Sequence, residues 1–584
     1  MNINVRYHDE LFMIIETSQS IEYELRDEFS FFANNYKFNP KYKYGMWDGK
    51  IRLYNSRDRT LYIGLLYDLF KFAKKNGYSI SISKEDKAKF QPVVEYDEKK
   101  IEKFESEQCI YKLKHYQKAS VKEAIKNNKT LILSPTGSGK SLIIYTIIRY
   151  LLDSGFINKN KRMLINVPNI SLVSQLYSDF EEYTNDDWNI KDFVTLAGGK
   201  HVEDSSKCIC ISTWQTTIKK KPEYFENIVG YILDEAHQAT ANEISRIFER
   251  LTKCVFKMGT TGTLDGTDMH ELGMRARFGK LYRAATTKQL MDSGDLAKLN
   301  ITCKYLEYDK NDVKEMWGKL RGLEPTKKYQ AEIDYIVNNE KRNQYLIDLA
   351  FSQEQNTLMI FNFVEKHGKL LLDKMIGLED EKLTRVYFIY GGIGGDEREY
   401  IRTTLDKKSP VWYDLHFGKS GFIRIKAKDN VQLDDGEYIY GYNLNQTKRY
   451  KISKKWFDNA TTNKYNKFTE NVDDLTVTKI IKQYGSSVLL ASYGTLAVGV
   501  NIKNLHTLIF CHPTKGQIRL LQTIGRILRK ANDKNQVEVI DIVDNFERVT
   551  KKSKFRNTLL KQFVTRLEIY EKQEFDYDIE QVKL

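Results

Sequence analysis

Residues 134–141 of this chain read Ser-Pro-Thr-Gly-Ser-Gly-Lys-Ser and lie between two apolar runs, 130–133 and 142–148. Strand, glycine-rich turn and helix in that order are the setting a phosphate-binding loop requires. Backbone N–H groups of the turn and the helix N-terminus then face an anion, so dipoles hold a triphosphate before any side chain contributes. Lys140 is placed to reach the β- and γ-phosphates, and the Ser141 hydroxyl to sit on Mg²⁺. Thr136, Gly137, Ser138 and Gly139 complete the expected cradle, so ATP and Mg²⁺ are the cofactors it implies. Ser134 departs from the general pattern, which has its first glycine there.

A chain of 584 residues is too long for one core, and three to five domains are expected. The net charge of +14 points to a polyanionic partner, since clustered Lys and Arg displace counterions from nucleic acid. Six scattered cysteines include no C-x-x-C pair and no zinc spacing. Cys208 and Cys210, two apart in a predicted strand, are expected to share a face as buried thiols. The polar start is unlike a signal peptide, and the longest apolar run, 142–152, contains Arg149 and is too short to span a bilayer. The expected setting is intracellular, with reduced thiols and no membrane partner.

Residues 1–95 form a first small unit: a strand at 2–7, a helix at 21–32, a basic-aromatic segment at 37–52, and a helix at 67–76 stopped by Gly77. A linker is expected at 96–107. From 108 to 296, apolar strands (131–134, 163–167, 208–212, 229–234, 255–259) alternate with amphipathic helices, the signature of a parallel sheet covered on both faces. A polar bridge covers 297–340. The pattern resumes over 341–548 with strands at 357–361, 386–390, 487–491, 508–512 and 537–543, and a helical tail closes the chain at 549–584. Within the second unit, 409–475 is rich in Tyr, Phe, Ile, Gly and turn residues. Joining Arg402 to Lys479 would restore one helix, so 403–477 reads as a β-rich insertion.

Downstream of the phosphate loop, Tyr231-Ile232-Leu233-Asp234-Glu235-Ala236-His237 is an apolar strand ending in two acids. That places them at the carboxyl edge of the sheet, where α/β proteins bind ligands. Asp234 is suited to hold Mg²⁺, and Glu235 to orient and deprotonate an attacking water. Near the end of the second unit lies Gln522-Thr523-Ile524-Gly525-Arg526-Ile527-Leu528-Arg529. Arg526 and Arg529, three apart, are expected to project from one helix face and stabilise charge on a transferring phosphoryl group.

These motifs in this order closely resemble the superfamily-two helicases of the DEAH type. That resemblance implies two tandem RecA-like parallel-sheet domains in an α/β protein with a small N-terminal α+β domain. It assigns adenine reading to Gln117 in Tyr116-Gln117, nucleotide contact to Gln522, and coupling of hydrolysis to closure to His237, Thr261 and Thr263. Val167-Pro168 through Gln175, Gly198-Gly199 and Ser212-Thr213-Trp214-Gln215-Thr216 resemble motifs that grip the tracking strand. Phe361-Asn362-Phe363 and Ala491-Ser492-Tyr493-Gly494-Thr495 resemble motifs of the second lobe. Many members carry Asp where this chain has Asn501.

The segment Phe38-Asn39-Pro40-Lys41-Tyr42-Lys43-Tyr44-Gly45-Met46-Trp47-Asp48-Gly49-Lys50-Ile51-Arg52, with Thr213–Thr216 and 521–526, narrows the resemblance to the UvsW family of phage recombination helicases. It implies fork regression, Holliday-junction branch migration and R-loop unwinding on branched DNA or RNA–DNA hybrids, three-prime to five-prime movement, a monomer, and recombination proteins as partners. Lys41, Lys43, Lys50 and Arg52 would neutralise phosphates, and Trp47 offers a stacking face. Gln175, Thr213 and Thr495 are the strand contacts implied in the motor. Two other readings stay open: a translocating subunit of a restriction or nuclease complex, for which Asp434, Asp435 and Glu437 are the acids to check, and a non-catalytic nucleic-acid-binding scaffold.

Overall fold

The computed structural model describes residues 2–377 except 34–35, 186–187, 200, 239–240 and 265–267, then five strands between 385 and 453, then 487–584 except 494–503, 515, 532–533 and 550–553. The chain divides into two units, 1–286 and 287–584. The boundary falls earlier than the expected 296, because the strand Lys298–Glu307 lies in the second sheet and Leu296 bridges to Arg529.

In the first unit, alternating residues of Asn2–Tyr7 and Phe12–Glu16 bury Ile3, Val5, Met13 and Ile15 on one face of a small sheet. Ser79–Ile82 joins it in parallel, and Thr60–Tyr62 and Tyr54–Asn55 extend the other side. Helices Gln19–Glu28 and Leu66–Asn76 cover the apolar face with Ile21, Leu25, Leu69 and Phe72. The second stops at Gly77, whose φ of 72° suits a residue without Cβ. The helix expected over 21–32 ends at Glu28 instead. Residues Ser30–Phe32 pair with Lys50–Arg52, where aromatic residues favour a strand.

Two lysines seat this domain on the motor. Lys129 Nζ lies 2.9 Å from the Glu10 carboxylate, and Lys257 Nζ donates to the Glu10 carbonyl at 2.6 Å. Burial pushes the Lys257 ammonium down to about 8. Gly64 closes the seam: a Cβ there would stand 2.4 Å from the Arg275 carbonyl oxygen.

The motor sheet of this unit has seven parallel strands in the order Val194–Ala197, Ile209–Thr213, Arg162–Val167, Ile228–Leu233, Phe256–Thr261, Lys129–Leu133, Lys280–Arg283. The five strands expected from apolar runs are the inner five. The two unforeseen ones are short edge strands, one half charged, as edges commonly are. The supposed linker is structured: helix Glu98–Lys103 and the turn Phe104–Gln108 after it place Ile101 and Phe104 in the motor core. Cys208 and Cys210 do not share a face. Cys208 precedes the strand and packs with Ile209 and Ile211, whereas Cys210 faces the opposite cluster around Tyr231.

The second unit holds another seven-stranded parallel sheet, ordered Arg385–Ile389, Ser487–Ser492, Thr357–Phe361, Thr507–Phe510, Gln536–Asn545, Lys298–Glu307, Tyr577–Lys583. Here two expectations are corrected. The supposed bridge contributes the strand Lys298–Glu307 and helices Lys310–Leu320 and Pro325–Asn338. The supposed helical tail contributes helix Thr558–Lys572 and the edge strand Tyr577–Lys583. Both strands carry charged residues because they sit at or beside the sheet edge, which hid them from an apolar-run criterion. Between Arg385–Ile389 and Ser487–Ser492 in sequence, the strands Trp412–Phe417, Gly421–Ala427, Tyr438–Tyr442 and Arg449–Ser453 make a separate antiparallel sheet. The insertion limits at 403 and 477, and Asp434, Asp435 and Glu437, lie outside the described residues.

Among the described residues of this unit, His367 and His512 are almost fully buried. Burial pushes His512 down from 6.5 to about 4, and His367 well below its ordinary value. The folded state therefore keeps both rings neutral while the unfolded chain protonates them near pH 6.5. Stability is fully present above that pH and is lost as pH falls towards 4. The urea midpoint of the second unit should be lower at pH 5 than at pH 7.5, by on the order of 1–3 kcal/mol of stability. His512→Gln should flatten that slope, and an unchanged slope would count against the assignment.

Candidate active site

The phosphate loop turns on two left-handed glycines, Gly137 at φ 85° and Gly139 at φ 76°. Gly139 is also hemmed in, since a Cβ there would lie 2.5 Å from Gln117 Nε2. Gly139→Ala should therefore raise the Kd for ATP at least about tenfold through combined backbone strain and crowding. Equilibrium binding of a fluorescent nucleotide measures it, and wild-type affinity would contradict this reading.

Ser134, the departure from the general pattern, has a structural reason. Its hydroxyl donates to Ser138 Oγ at 2.6 Å, Ser138 Oγ donates to the Pro135 carbonyl at 2.7 Å, and the Ser134 N–H donates to the Thr261 carbonyl. Side-chain bonds thus lash the mouth of the loop where a glycine would offer none. Gln117 braces the same loop: Nε2 donates to the Ser138 carbonyl at 2.9 Å while Oε1 accepts the Lys114 N–H. Tyr116 Oη donates to that carbonyl as well, at 3.0 Å.

Lys140 and Ser141 open the helix Lys140–Asp153. Lys140 Nζ lies 3.4 Å from Glu235 Oε1 and 3.4 Å from the Ser134 carbonyl. Ser141 Oγ is 2.9 Å from Tyr183 Oη. Asp234 and Glu235 follow the strand Ile228–Leu233, as expected, at its carboxyl end. Asp234 Oδ1 accepts from Thr260 Oγ1 at 2.5 Å and from the Glu235 N–H at 2.9 Å. Burial and the charge of Glu235 push the Asp234 carboxyl up to about 6, with Lys140 offsetting part of the rise. A crowded, desolvated pair of acids is an environment in which a hard divalent cation is favoured, so this donor set with Ser141 fits Mg²⁺.

Glu235 takes a left-handed φ of 48°, an uncommon conformation for a residue with Cβ and the kind of strain that clusters at working sites. His237 Nδ1 meets Thr261 Oγ1 at 2.7 Å and stands 3.5 Å from Glu235 Oε2. Thr261 Oγ1 donates its only proton to the Thr263 carbonyl at 2.7 Å, so it must accept from His237 Nδ1–H, which fixes the tautomer. The three residues assigned to coupling therefore form one hydrogen-bonded chain behind Glu235. A Cβ on the intervening Gly262 would lie 3.4 Å from Lys140 Nζ.

The strand-gripping motifs are also brought together. Gly199 abuts Ile170, the first residue of helix Ile170–Tyr183, which carries Gln175. Gly198 abuts Thr216. Thr213 is buried and caps the turn Trp214–Thr217 through the Thr216 N–H. Thr495 lies outside the described residues. In the N-terminal domain Lys41 and Lys43 are exposed, and Tyr44 is 77% exposed. Trp47 is instead half-buried, its Nε1 donating to the Lys50 carbonyl at 2.9 Å. Lys50 pairs with Asp27 and Arg52 with Asp48, so those two cations are partly neutralised within the domain.

Gln522 and Arg526 lie on helix Gln517–Ile527 of the second unit, and both are partly exposed. The single helix face expected for Arg526 and Arg529 is not formed. The helix ends at Ile527, and Arg529 continues as a bridge to Leu296. Sequence reasoning missed Thr260 and Tyr183. A lone Thr in a strand and a Tyr at a helix end carry no signal until the chain is folded.

The family described as "DNA helicase UvsW, N-terminal" matches residues 2–83, and that described as "Type III restriction enzyme, res subunit" matches 110–266. The ATP-dependent DNA helicase uvsW of Enterobacteria phage T4 is 29% identical over 599 residues, spanning 100% of both chains. The chain belongs to the UvsW family of superfamily-two helicases. Among solved structures, a crystal structure of T4 UvsW is 27% identical over 100% of both chains, with a TM-score of 0.44. Another, of the UvsW helicase from bacteriophage T4, is 32% identical and covers 48% of this UvsW-family chain and 100% of its own, with a TM-score of 0.43. No helix among the described residues is long and apolar enough to cross a membrane.

Proposed function

We propose that this UvsW-family chain, an ATP-dependent DNA helicase, remodels branched nucleic acid in phage recombination, repair and replication. Fork regression, Holliday-junction branch migration and R-loop unwinding are the activities meant, acting as a monomer in the host cytoplasm with three-prime to five-prime movement. One observation carries the reading. A domain bearing exposed Lys41, Lys43 and Tyr44 is seated by Lys129, Lys257 and Gly64 on the same unit that holds the phosphate loop and the strand-gripping motifs. Such a seat lets a duplex arm meet the N-terminal domain while a single strand is tracked by the motor.

In the reaction, Lys140 neutralises the β- and γ-phosphates and the loop N–H groups orient them. Ser141 and Asp234 would hold Mg²⁺, which when bound neutralises charge on the phosphate oxygens. Glu235 orients the attacking water and accepts its proton, with Lys140 and His237 keeping its carboxylate in place. Gln117 reads adenine, and Gln522, Arg526 and Arg529 are the residues that the family resemblance assigns to nucleotide contact and to stabilising charge on the transferring phosphoryl group. The chain His237–Thr261–Thr263 passes the change at Glu235 to the strand-gripping edge.

ATP turnover on a four-way junction, a fork, linear duplex and single strand tests the reading, with Glu235→Gln as control. A rate several-fold higher on branched substrates supports remodelling. Equal stimulation by linear duplex favours the second reading, a translocating subunit of a restriction complex, which the restriction-subunit match over 110–266 makes worth testing. Among the described residues no group of three or more His, Cys, Asp or Glu could form a separate nuclease metal site. Turnover that DNA leaves unchanged would favour the scaffold.

A further inference from the structure

We propose that Tyr183 is a positioning residue for Ser141, linking the helix of the strand-gripping motif to the phosphate loop; the inference rests on the helicase reading above. Helix Ile170–Tyr183 starts at the Asn169 cap, directly after Val167-Pro168, and carries Gln175. Its last residue reaches the other motif, with Tyr183 Oη 2.9 Å from Ser141 Oγ. One rigid element therefore has the grip on the tracking strand at its start and a hydrogen bond to the nucleotide loop at its end.

Tyr183 is held firmly enough to act in this way. Its ring packs edge-on against Tyr111 and Tyr145, with centroids 5.7 Å away in both cases. Its carbonyl accepts the Ile110 N–H at 3.0 Å, and Thr184 bridges to Cys109, which fixes the helix end to the segment leading to Gln117. A serine hydroxyl has one proton and two lone pairs. When Ser141 donates that proton to Tyr183, its lone pairs are left for a cation. Asp234, the other expected ligand, has Oδ1 engaged by Thr260 and the Glu235 N–H. Tyr183 thus sets the rotor of a hydroxyl that otherwise turns freely. A shift of the helix as its start engages nucleic acid changes that setting.

Tyr183→Phe keeps the packed ring and removes only the hydroxyl. Tyr111→Phe is the control, because its hydroxyl bonds Glu182 at 2.8 Å. On the full chain, affinity for a fluorescent ADP analogue is measured in EDTA and across a magnesium titration, and ATP turnover is measured with and without DNA. Tyr183→Phe should match wild type in EDTA and need about three- to tenfold more magnesium for its half-maximal gain in affinity, the range one neutral hydrogen bond supplies. It should also lose part of its stimulation by DNA, and Tyr111→Phe should do neither. An unchanged magnesium midpoint overturns the positioning role. A shifted midpoint with full DNA stimulation overturns the link, and binding weakened equally in EDTA overturns both in favour of general loop damage. A wild-type chain that DNA does not stimulate would instead fail the helicase reading itself.

Discussion

Glu235→Gln is expected to lower ATP turnover by about 10²- to 10⁴-fold, the usual contribution of a positioned general base, with nucleotide affinity little changed. The amide is isosteric, so the left-handed backbone at φ 48° and the fit beside Lys140 and His237 are retained while the proton acceptor is lost. Loss of the negative charge also removes the chief charged neighbour that raises Asp234, so cation affinity should hold or improve. Single-turnover hydrolysis together with equilibrium nucleotide binding separates the two effects. A variant that retains more than a tenth of wild-type turnover would show that another group takes the proton.

The largest effect on stability is expected at Asp544. Arg342 is fully buried, donating from Nε and Nη2 to the two Asp544 oxygens at 2.6 and 3.0 Å and from Nη2 to the Cys511 carbonyl at 2.9 Å. Tyr308 Oη adds a further bond to Asp544 at 2.7 Å. Asp544→Ala leaves a guanidinium in the core with no counter-charge, which costs about 3–5 kcal/mol. The double variant Arg342→Met, Asp544→Leu removes both charges and should recover most of that loss. Urea unfolding followed by hydrogen exchange over 287–584 measures it. A loss below about 1 kcal/mol for Asp544→Ala, or no recovery in the double variant, would contradict a desolvated pair. Arg566, on helix Thr558–Lys572, repeats the arrangement at 2.7 and 2.9 Å with Asp541, which shares the strand Gln536–Asn545 with Asp544, so that strand is pinned twice by buried ion pairs.

Much of this molecule was legible before folding because its signals are local. A glycine-rich turn between a strand and a helix needs only adjacent residues to be recognised, and the inner strands of a parallel sheet are apolar on both faces. The phosphate loop, Asp234 and Glu235 at a strand end, and all five inner strands of the first motor sheet therefore stood in the linear pattern. Edge strands did not. Lys280–Arg283 and Tyr577–Lys583 pair on one side only and carry the charges that guard an edge, so they resemble loops until a neighbour is supplied. The end of the arginine helix at Ile527 was likewise invisible, because it is a pairing with Leu296, more than two hundred residues away, that carries Arg529 off the helix.

The amino-acid sequence by itself determined the pattern: which turn carries the glycines between strand and helix, which acids stand at the sheet edge, and which family of motor the motifs compose. Tertiary structure alone decided how those groups are held. Ser134 replaces a glycine because Ser138 comes back to meet it, and His237 has one tautomer because Thr261 spends its proton on Thr263. Trp47 is pinned while Tyr44 is presented, and Tyr183 reaches Ser141 from forty-two residues away. The physical reason is common to all four. A hydrogen bond or a buried ring depends on a partner brought close by the fold, and composition and spacing along the chain do not encode that distance.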